Sequence, residues 1–484
     1  MHIKSLANSN NEQRDVVIIT VPWVDSKMPL MAPAALKAVV EENDMTCLGV
    51  DTNHDIYDIT LAHPLKDGLI KYYFDAIADD DTMEVVYDMI ISIVTGILSY
   101  SPKVVGLSLF SFSSKHMAKW ISYYIRKLDP SVKIILGGAG CLDTFVGPSS
   151  YIDDLLNMNL IDYHIRGDGE KTLIELLNGN DSYDGINSRT WKNLTNEELR
   201  VIPYPNYDDY DYSSYKLQYI NLMGSRGCVR QCTFCDYIVN WKKFTWRTGD
   251  DIFNEMMFQK GKYGINDFKF QDSLTNGNQK EFFKLLELMS EYNDTNPHDA
   301  IRWSGYYIIR NTSNKSEREW DLLHRSGAYR LIPGVESLNQ DIRYAIGKKF
   351  TDDAIEYVLE KAYNYNIHLI IMNIVGYVTE EEHHIDYIKS WLDSHTKHKD
   401  NITLQWGGGL GIFPETHLYD NKVELGIEMI GEQPFEWKST VINNTPVIRA
   451  NRVNDLVSYS EKLGYTCHKL QDNQFLVEKI LDEG

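Results

Sequence analysis

Between residues 16 and 178, short unbroken apolar runs alternate with longer stretches whose apolar positions recur every three or four residues. The short runs lie at 16–20, 47–50, 104–110 and 133–138. A half-buried strand alternates apolar and polar residues, whereas a strand covered on both faces does not, so these runs predict parallel strands inside a layered sheet. Residues 34–42, 82–99 and 115–128 carry the helical period between them. The alternation predicts a doubly wound, Rossmann-like α/β sheet over residues 1–180, with ligands taken at the carboxyl ends of its strands.

A second series starts after residue 217. An apolar run from Tyr219 to Met223 is followed by predicted strands at 267–271, 301–309, 329–335, 368–374 and 403–406. Helical patterns at 248–263, 279–292, 316–326, 353–364 and 380–394 separate them. Repeated strand–helix units predict a partial TIM-type (β/α)6 barrel over 218–420, with its chemistry at the strand carboxyl ends. Residues 181–217 contain Pro203, Pro205 and the acidic, Tyr-rich segment from Tyr207 to Tyr212, which predicts an ordered linker. Residues 421–484 carry no motif and are expected to form a small C-terminal extension covering the barrel mouth.

Composition narrows the partners. The 484 residues include 48 Lys and Arg against 69 Asp and Glu, a formal charge of −21. So acidic a chain is a poor electrostatic match for nucleic acid or an anionic membrane. It has no apolar run of membrane-spanning length, and residues 1–15 are polar, so a cytoplasmic protein is expected. Of six cysteines, Cys47, Cys141 and Cys467 are scattered and suit small buried apolar positions better than disulfides.

The other three, Cys228, Cys232 and Cys235, share one loop behind Gly224-Ser225-Arg226-Gly227. Three thiolates on a tight loop can hold three irons of a cubic cluster and leave the fourth open to a ligand. Zinc also accepts closely spaced cysteines, but its sites combine two arms and no second arm is near.

The Cys-x3-Cys-x-aromatic-Cys loop resembles the signature of the radical S-adenosylmethionine superfamily. The resemblance implies a [4Fe–4S] cluster on Cys228, Cys232 and Cys235, with S-adenosylmethionine chelated at the open iron and cleaved to a 5′-deoxyadenosyl radical. It further implies an electron donor such as flavodoxin or ferredoxin, and Phe234 near the adenine. Gly334-Val335-Glu336-Ser337 resembles the superfamily's Gly-[Ile/Val]-Glu-Ser segment, which implies a ribose contact for Glu336. Asp272, Ser273, Arg310, Ser337 and Asn373 are the further cofactor-binding candidates at strand ends, although each is also an ordinary cap or turn residue. Residues 374–380 depart from the superfamily's Gly-x-Pro-Gly-Glu-Thr, and residues 413–416 from its Pro-Gly-Thr, so different loop shapes are expected there.

The amino-terminal part resembles the cobalamin-binding domain fused to many such enzymes. The resemblance is carried by the loop of Pro22, Trp23, Pro29 and Pro33, by Asp51-x-Asn53, by Val105 to Ser108, by Ile134 to Gly138, and by Gly167-Asp168-Gly169-Glu170. It implies cobalamin contacts at Asn53, Ser108, Gly137 and Gly138. His164 falls in an Asp-x-His-x-x-Gly match on the wrong strand and reads as coincidence; His54 misses the spacing, so cobalamin without a lower histidine ligand is expected. The implied function is a cobalamin-dependent radical methyltransferase acting on an unactivated carbon of a small molecule or peptide. The alternatives are a cobalamin-independent radical enzyme with a structural first domain, and a non-catalytic iron–sulfur or zinc protein. A tRNA methylthiotransferase would need three amino-terminal cysteines, where only Cys47 and Cys141 stand. No residue is singled out as a catalytic base or hydrogen donor.

Overall fold

A computed structural model describes residues 3–469, apart from 9, 11, 25–27, 142–149, 189–190, 312–315, 408 and 432. The chain forms two units that change over at Asn221 and Leu222.

The first unit runs β1 (Val16–Thr20), α1 (Met31–Glu42), β2 (Cys47–Val50), α2 (Thr52–Ala62), α3 (Lys66–Asp75), α4 (Asp80–Leu98), β3 (Val104–Ser108), α5 (Lys115–Leu128), β4 (Lys133–Gly137), α6 (Tyr151–Asn157), β5 (Tyr163–Ile165), α7 (Gly169–Leu177) and α8 (Asn196–Val201). Its five strands make one parallel sheet in the order β2-β1-β3-β4-β5. Val17, Ile19, Val105, Leu107, Ile134 and Leu136 bury one face against Ile93 and Ile97 of α4 and Ile121 and Ile125 of α5. Val16, Ile18, Ile135 and Ile165 bury the other against Val40 of α1 and Leu173 and Leu176 of α7. Both faces are covered, as the unbroken apolar runs predict. Residues 181–217 fold with this unit. Asp209 pairs with Lys37 and accepts from the Gly49 amide at 3.0 Å, and the Tyr210 hydroxyl donates to the Leu30 carbonyl at 2.7 Å.

The second unit begins with β6 (Ile220–Leu222), β7 (Ser225–Arg226), α9 (Tyr237–Asn240), β8 (Thr245–Trp246), α10 (Gly249–Tyr263), β9 (Asp267–Phe270), α11 (Gln279–Thr295), β10 (Arg302–Tyr307), α12 (Glu317–Arg325) and β11 (Ala328–Pro333). It continues with α13 (Gln340–Ile346), α14 (Asp352–Asn364), β12 (His368–Ile374), α15 (Glu382–Ser394), β13 (Ile402–Gly407), α16 (His417–Asp420), β14 (Ile427–Met429), β15 (Trp437–Ser439), α17 (Pro446–Leu463) and β16 (Thr466–Lys469). Local chemistry marks the helix ends. Thr248 and Asp251 form a reciprocal capping box on α10, which stops at Gly264 with φ 67°. The main sheet is ordered β16-β13-β12-β11-β10-β9-β6. Trp303 donates to Ser326 beyond α12, Tyr307 to Glu319 on α12, and Trp406 to Ser460 on α17, which fixes the helix-facing side of the strands.

Two features exceed the sequence expectation. Helices α2 and α3 have no strong apolar period; burial of Ile56, Tyr57, Leu69, Tyr72 and Tyr73 holds them in place. The carboxyl-terminal region supplies α17 and a seventh strand, with β16 pairing in parallel to β13 from Thr403↔Thr466 to Trp406↔Lys469. That strand is short, polar and largely exposed, so no apolar run announces it. Residues ahead of it pack elsewhere: Leu410, Ile412, Leu418, Ile427 and Trp437 form a core with Cys232, Ile342, Ile346 and Tyr377.

Backbone conformation separates two neighbouring glycines. Gly138 has φ 104°, and a Cβ there would lie 2.2 Å from the Leu109 carbonyl oxygen. At Gly137 the nearest atom to an added Cβ is 3.6 Å away. Gly138→Ala should therefore lower unfolding free energy by more than about 1 kcal/mol, while Gly137→Ala stays within about 1 kcal/mol of wild type. Urea denaturation of the two variants measures the difference.

The fully buried carboxyl of Glu380 accepts from the Gly376 amide, and its Oε1 has no partner. Burial pushes its pKa from 4.5 up to about 7, against the pull of Gly376 and of Arg452. A carboxyl raised on folding favours the native state most below its unfolded value, and this contribution disappears as pH rises through the folded value. The wild type should thus lose stability relative to Glu380→Gln between pH 4.5 and about 7, then level off. Stability curves that stay parallel across this range would refute the burial assignment.

Candidate active site

The cysteine loop is held at both ends and in the middle. β7 and β8 pair antiparallel, Ser225 with Trp246 and Arg226 with Thr245, and close the segment that carries the thiols. Gly227, φ 79°, allows the crossing, since a Cβ there would meet the Lys243 carbonyl at 2.4 Å. Asp272 accepts from the Gly224 amide at 3.0 Å and from the Ser225 hydroxyl at 2.5 Å. Burial pushes this carboxyl up to about 6. In mid-loop, the Thr233 amide donates to the Ile346 carbonyl at the end of α13, and the Thr233 carbonyl accepts from the Leu418 amide. The hydroxyls of Thr233 and Tyr377 are 2.8 Å apart, and Tyr377 also donates to the Ala345 carbonyl at 2.9 Å.

All three thiols are free, with Cys232 buried and Cys228 and Cys235 half-buried. Burial raises each pKa, that of Cys235 to about 12 with Asp236 adding to it. Lys348 and Arg230 act in the opposite sense on Cys228 and Cys232. Such thiols stay protonated until a metal displaces the proton. Among the described residues no three His, Cys, Asp or Glu side chains are grouped as a single ion requires. A cubane asks for a wider triangle, because each thiolate meets its own iron, and three soft donors on one loop fit that demand.

Facing this loop stands an ion pair, Lys348 Nζ to Glu336 Oε1 at 3.0 Å. Burial alone would lower the lysine, yet Glu336 and then Cys232 raise it on balance. Glu336 has left-handed backbone, φ 63°, which costs a non-glycine residue roughly 1–2 kcal/mol. Its amide donates to the Met372 carbonyl at 3.0 Å and its carbonyl accepts from the Ile374 amide at 2.8 Å, so β12 holds the strained residue. Asn373, directly across this bridge, is buried; its Nδ2 bonds the Ile371 carbonyl, while its Oδ1 has no partner.

The other barrel candidates have local partners. Ser273 bonds Tyr237, the Arg310 guanidinium donates to the Asn276 carbonyl, and Ser337 Oγ accepts from the Asn339 amide at 3.2 Å. Phe234 packs on the core formed around Cys232. Sequence reasoning missed Lys348, Thr233 and Tyr377. Tyr377 had one signal, its place in the segment that departs from the superfamily pattern.

In the first unit, the strand order reverses between β1 and β3, the position where open sheets leave a ligand crevice. The loop after β1 is tied down there. Val21 donates to the carbonyl of Ser108, Ser113 Oγ donates to the Trp23 carbonyl at 2.8 Å, and Ser114 Oγ to the Val21 carbonyl at 2.9 Å. Asn53 bonds the amide and the carbonyl of Val24, at 2.8 and 2.9 Å, so its side chain shapes this loop. The Trp23 ring stacks on Tyr57 and on Tyr73, with centroids 5.1 and 4.9 Å away. Gly137 and Gly138 end β4 beside these loops. His164 is a core histidine on β5, its pKa lowered to about 4 by burial and then by Arg166. His54 stacks on Tyr215 and lies 3.0 Å from Ser214 Oγ.

Residues 222–392 match the family model of the radical SAM superfamily. Cytidylyl-2-hydroxyethylphosphonate methyltransferase of Streptomyces wedmorensis is 24% identical over 365 residues, covering 64% of this chain and 62% of that protein. Anaerobic magnesium-protoporphyrin IX monomethyl ester cyclase of Synechocystis sp. is 22% identical over 314 residues, covering 60% and 58%. The chain thus spans about three fifths of the length of these curated relatives. Among solved structures, the radical S-adenosylmethionine methyltransferase TsrM of Kitasatospora setae, with tryptophan and the analogue aza-SAM bound, has a TM-score of 0.64 at 15% identity, covering 97% of this chain and 99% of that one. The cobalamin-dependent radical enzyme OxsB, with aqua-cobalamin and S-adenosylmethionine bound, has a TM-score of 0.58 at 17% identity, covering 93% of this chain and 61% of that one. At these identities the likeness is one of fold. The stretch that matches the radical SAM superfamily model thus takes in the cysteine loop and the strand ends around it.

Proposed function

We propose that the protein is a cobalamin-dependent radical S-adenosylmethionine methyltransferase acting on an unactivated carbon of a small molecule or peptide. The observation that carries this reading is a three-cysteine loop, pinned beside a strained Glu336–Lys348 pair, in a chain that also holds a parallel sheet with a switch-point crevice. Cys228, Cys232 and Cys235 would hold a [4Fe–4S] cluster. Glu336 and the unpartnered Asn373 Oδ1 suit the donors of a nucleoside, and Lys348 suits a carboxylate. The cluster would supply the electron that cleaves S-adenosylmethionine, and cobalamin a transferable methyl group. The relatives named for methyl transfer, TsrM and the phosphonate methyltransferase, support that choice of reaction. A flavodoxin or ferredoxin would deliver the electron.

One observation favours a second reading, a radical enzyme without cobalamin. Asn53 and Gly138 answer to the local backbone, through Val24 and Leu109, so the first unit has a structural use for residues that the resemblance assigns to cobalamin.

Anaerobic reconstitution should give about four irons per chain and release 5′-deoxyadenosine on reduction; the triple Cys→Ala variant should show neither. Protein refolded with hydroxocobalamin should retain visible corrin absorbance through gel filtration and yield methylated product. Turnover without any bound corrin selects the second reading. One tightly held zinc with no sulfide would remove both.

A further inference from the structure

The segments bordering the cysteine loop reverse the charge of the chain. Residues 226–243 and 344–349 carry six basic side chains, Arg226, Arg230, Lys242, Lys243, Lys348 and Lys349, against one acid, Asp236. The whole chain has the opposite balance, 48 basic residues to 69 acidic. Asp236 does little to offset the six, because it is half-buried and burial raises its pKa. Glu336 engages Lys348, and Arg230 donates to the Ile309 carbonyl at 3.4 Å. Lys242, Lys243 and Lys349 are exposed, and none has a carboxylate partner among the described residues.

Two close approaches put these lysines on either side of the loop. A Cβ at Gly227 would meet the Lys243 carbonyl, and one at Gly347 would lie 3.3 Å from the Gln231 carbonyl. The stretch from Cys228 to Gln231 therefore runs between the Lys242–Lys243 pair and the Gly347–Lys349 turn. Its outer edge is apolar: Val229 is 47% exposed, and Tyr344, just ahead of the turn, 42%. Behind it, Cys232 packs into the core with Ile346, Tyr377, Leu418 and Trp437. Neighbouring rings, not ion pairs, position the lysine pair, since Trp241 stacks on Tyr237 at 4.5 Å and Phe244 on Trp246 at 5.7 Å. An exposed lysine is ordinary by itself. Three that flank a small apolar strip, beside half-buried thiols and in a chain of charge −21, make a face suited to a negative partner.

We infer that this strip, formed by Val229, Lys242, Lys243, Tyr344 and Lys349, is a docking face for a small acidic one-electron carrier protein. Size and chemistry agree. Electron-transfer encounters bury little surface and depend on charge steering more than on a large apolar centre. The face adjoins the cysteines, and electron transfer weakens steeply with distance. One electron would leave the reduced carrier and enter the group held by Cys228, Cys232 and Cys235. The carrier would end one electron more oxidised, with no bond made or broken. That destination rests on the proposed radical function; the affinity for an acidic carrier does not. A second copy of this chain is disfavoured, because in a two-fold dimer the strip would meet itself, lysine against lysine.

Calorimetric titration of the cluster-loaded protein with oxidised flavodoxin tests the face, in low and in high salt. Saturable binding that weakens as salt rises is expected. Lys242→Glu/Lys243→Glu should weaken it about tenfold or more, and Lys349→Glu about threefold. Lys242→Arg/Lys243→Arg should keep it. With reduced flavodoxin as the donor, 5′-deoxyadenosine release should fall in step with binding. With dithionite at high salt, a small reductant that needs no docking face, release should match wild type. Wild-type flavodoxin binding by the charge-reversed double variant, or no saturable binding by the wild type, overturns the docking face. An equal loss of release with both reductants overturns it too, and gives the lysines a structural or cluster-loading role. Self-association of the wild type that the double variant loses assigns the face to a second copy and overturns the carrier. Charge-dependent flavodoxin binding by a protein that releases no 5′-deoxyadenosine with either reductant sinks the radical reading and leaves the face standing.

Discussion

Everything in the candidate site depends on how the cysteine loop is restrained. Three thiols brought into one loop repel once they are ionised, and their own segment contains only the short helix α9. The restraint comes from outside the loop. Thr233 is bonded through its amide to α13, through its carbonyl to Leu418, and through its hydroxyl to Tyr377. Asp272 holds the loop's entry and the β7–β8 ribbon its base. Each is a modest interaction, about 1 kcal/mol net for an ordinary hydrogen bond, but together the five fix one segment from several sides. Geometry held in that way survives even though burial disfavours the charged thiolates.

The same logic applies to Glu336. A residue in a costly backbone conformation persists only when its neighbours over-determine it. β12 bonds its amide and its carbonyl, and Lys348 takes its carboxylate. Lys348 also lies in the electrostatic field of Cys228 and Cys232, so the pair couples the strained Glu336 to the cysteine loop.

The sequence was most informative where burial is complete. The unbroken runs at 16–20 and 47–50 are strands with every residue buried; the strand predicted at 368–374 is also found there, with alternate residues buried. The three cysteines were equally plain, since their spacing alone brings them to one loop. Partners that depend on tertiary approach were not legible. Lys348 sits in a run of polar residues after α13 and acquires meaning only when Glu336 folds to within 3.0 Å of it. Asn53 illustrates the reverse case. Its place after β2 suggested a ligand contact, and its amide in addition clamps the backbone of Val24, a use no local pattern encodes. β16 was missed because pairing to β13, and not side-chain burial, makes it a strand.

The hold on Thr233 has a consequence in time as well as in space. Of its partners, Ile346 and Tyr377 are made after the cysteines, and Leu418 later still. During synthesis a chain emerges from its amino terminus and folds domain by domain. The first unit can close while the barrel is still being made, but the thiols cannot be fixed in place until α13, the Tyr377 turn and the Leu418 segment have all left the ribosome. Throughout that interval the three cysteines belong to a loosely held loop, open to oxidation and to stray metal. The loop's vulnerable period is therefore the chain's own biosynthesis, and any cluster these cysteines hold would be loaded late, by construction of the fold.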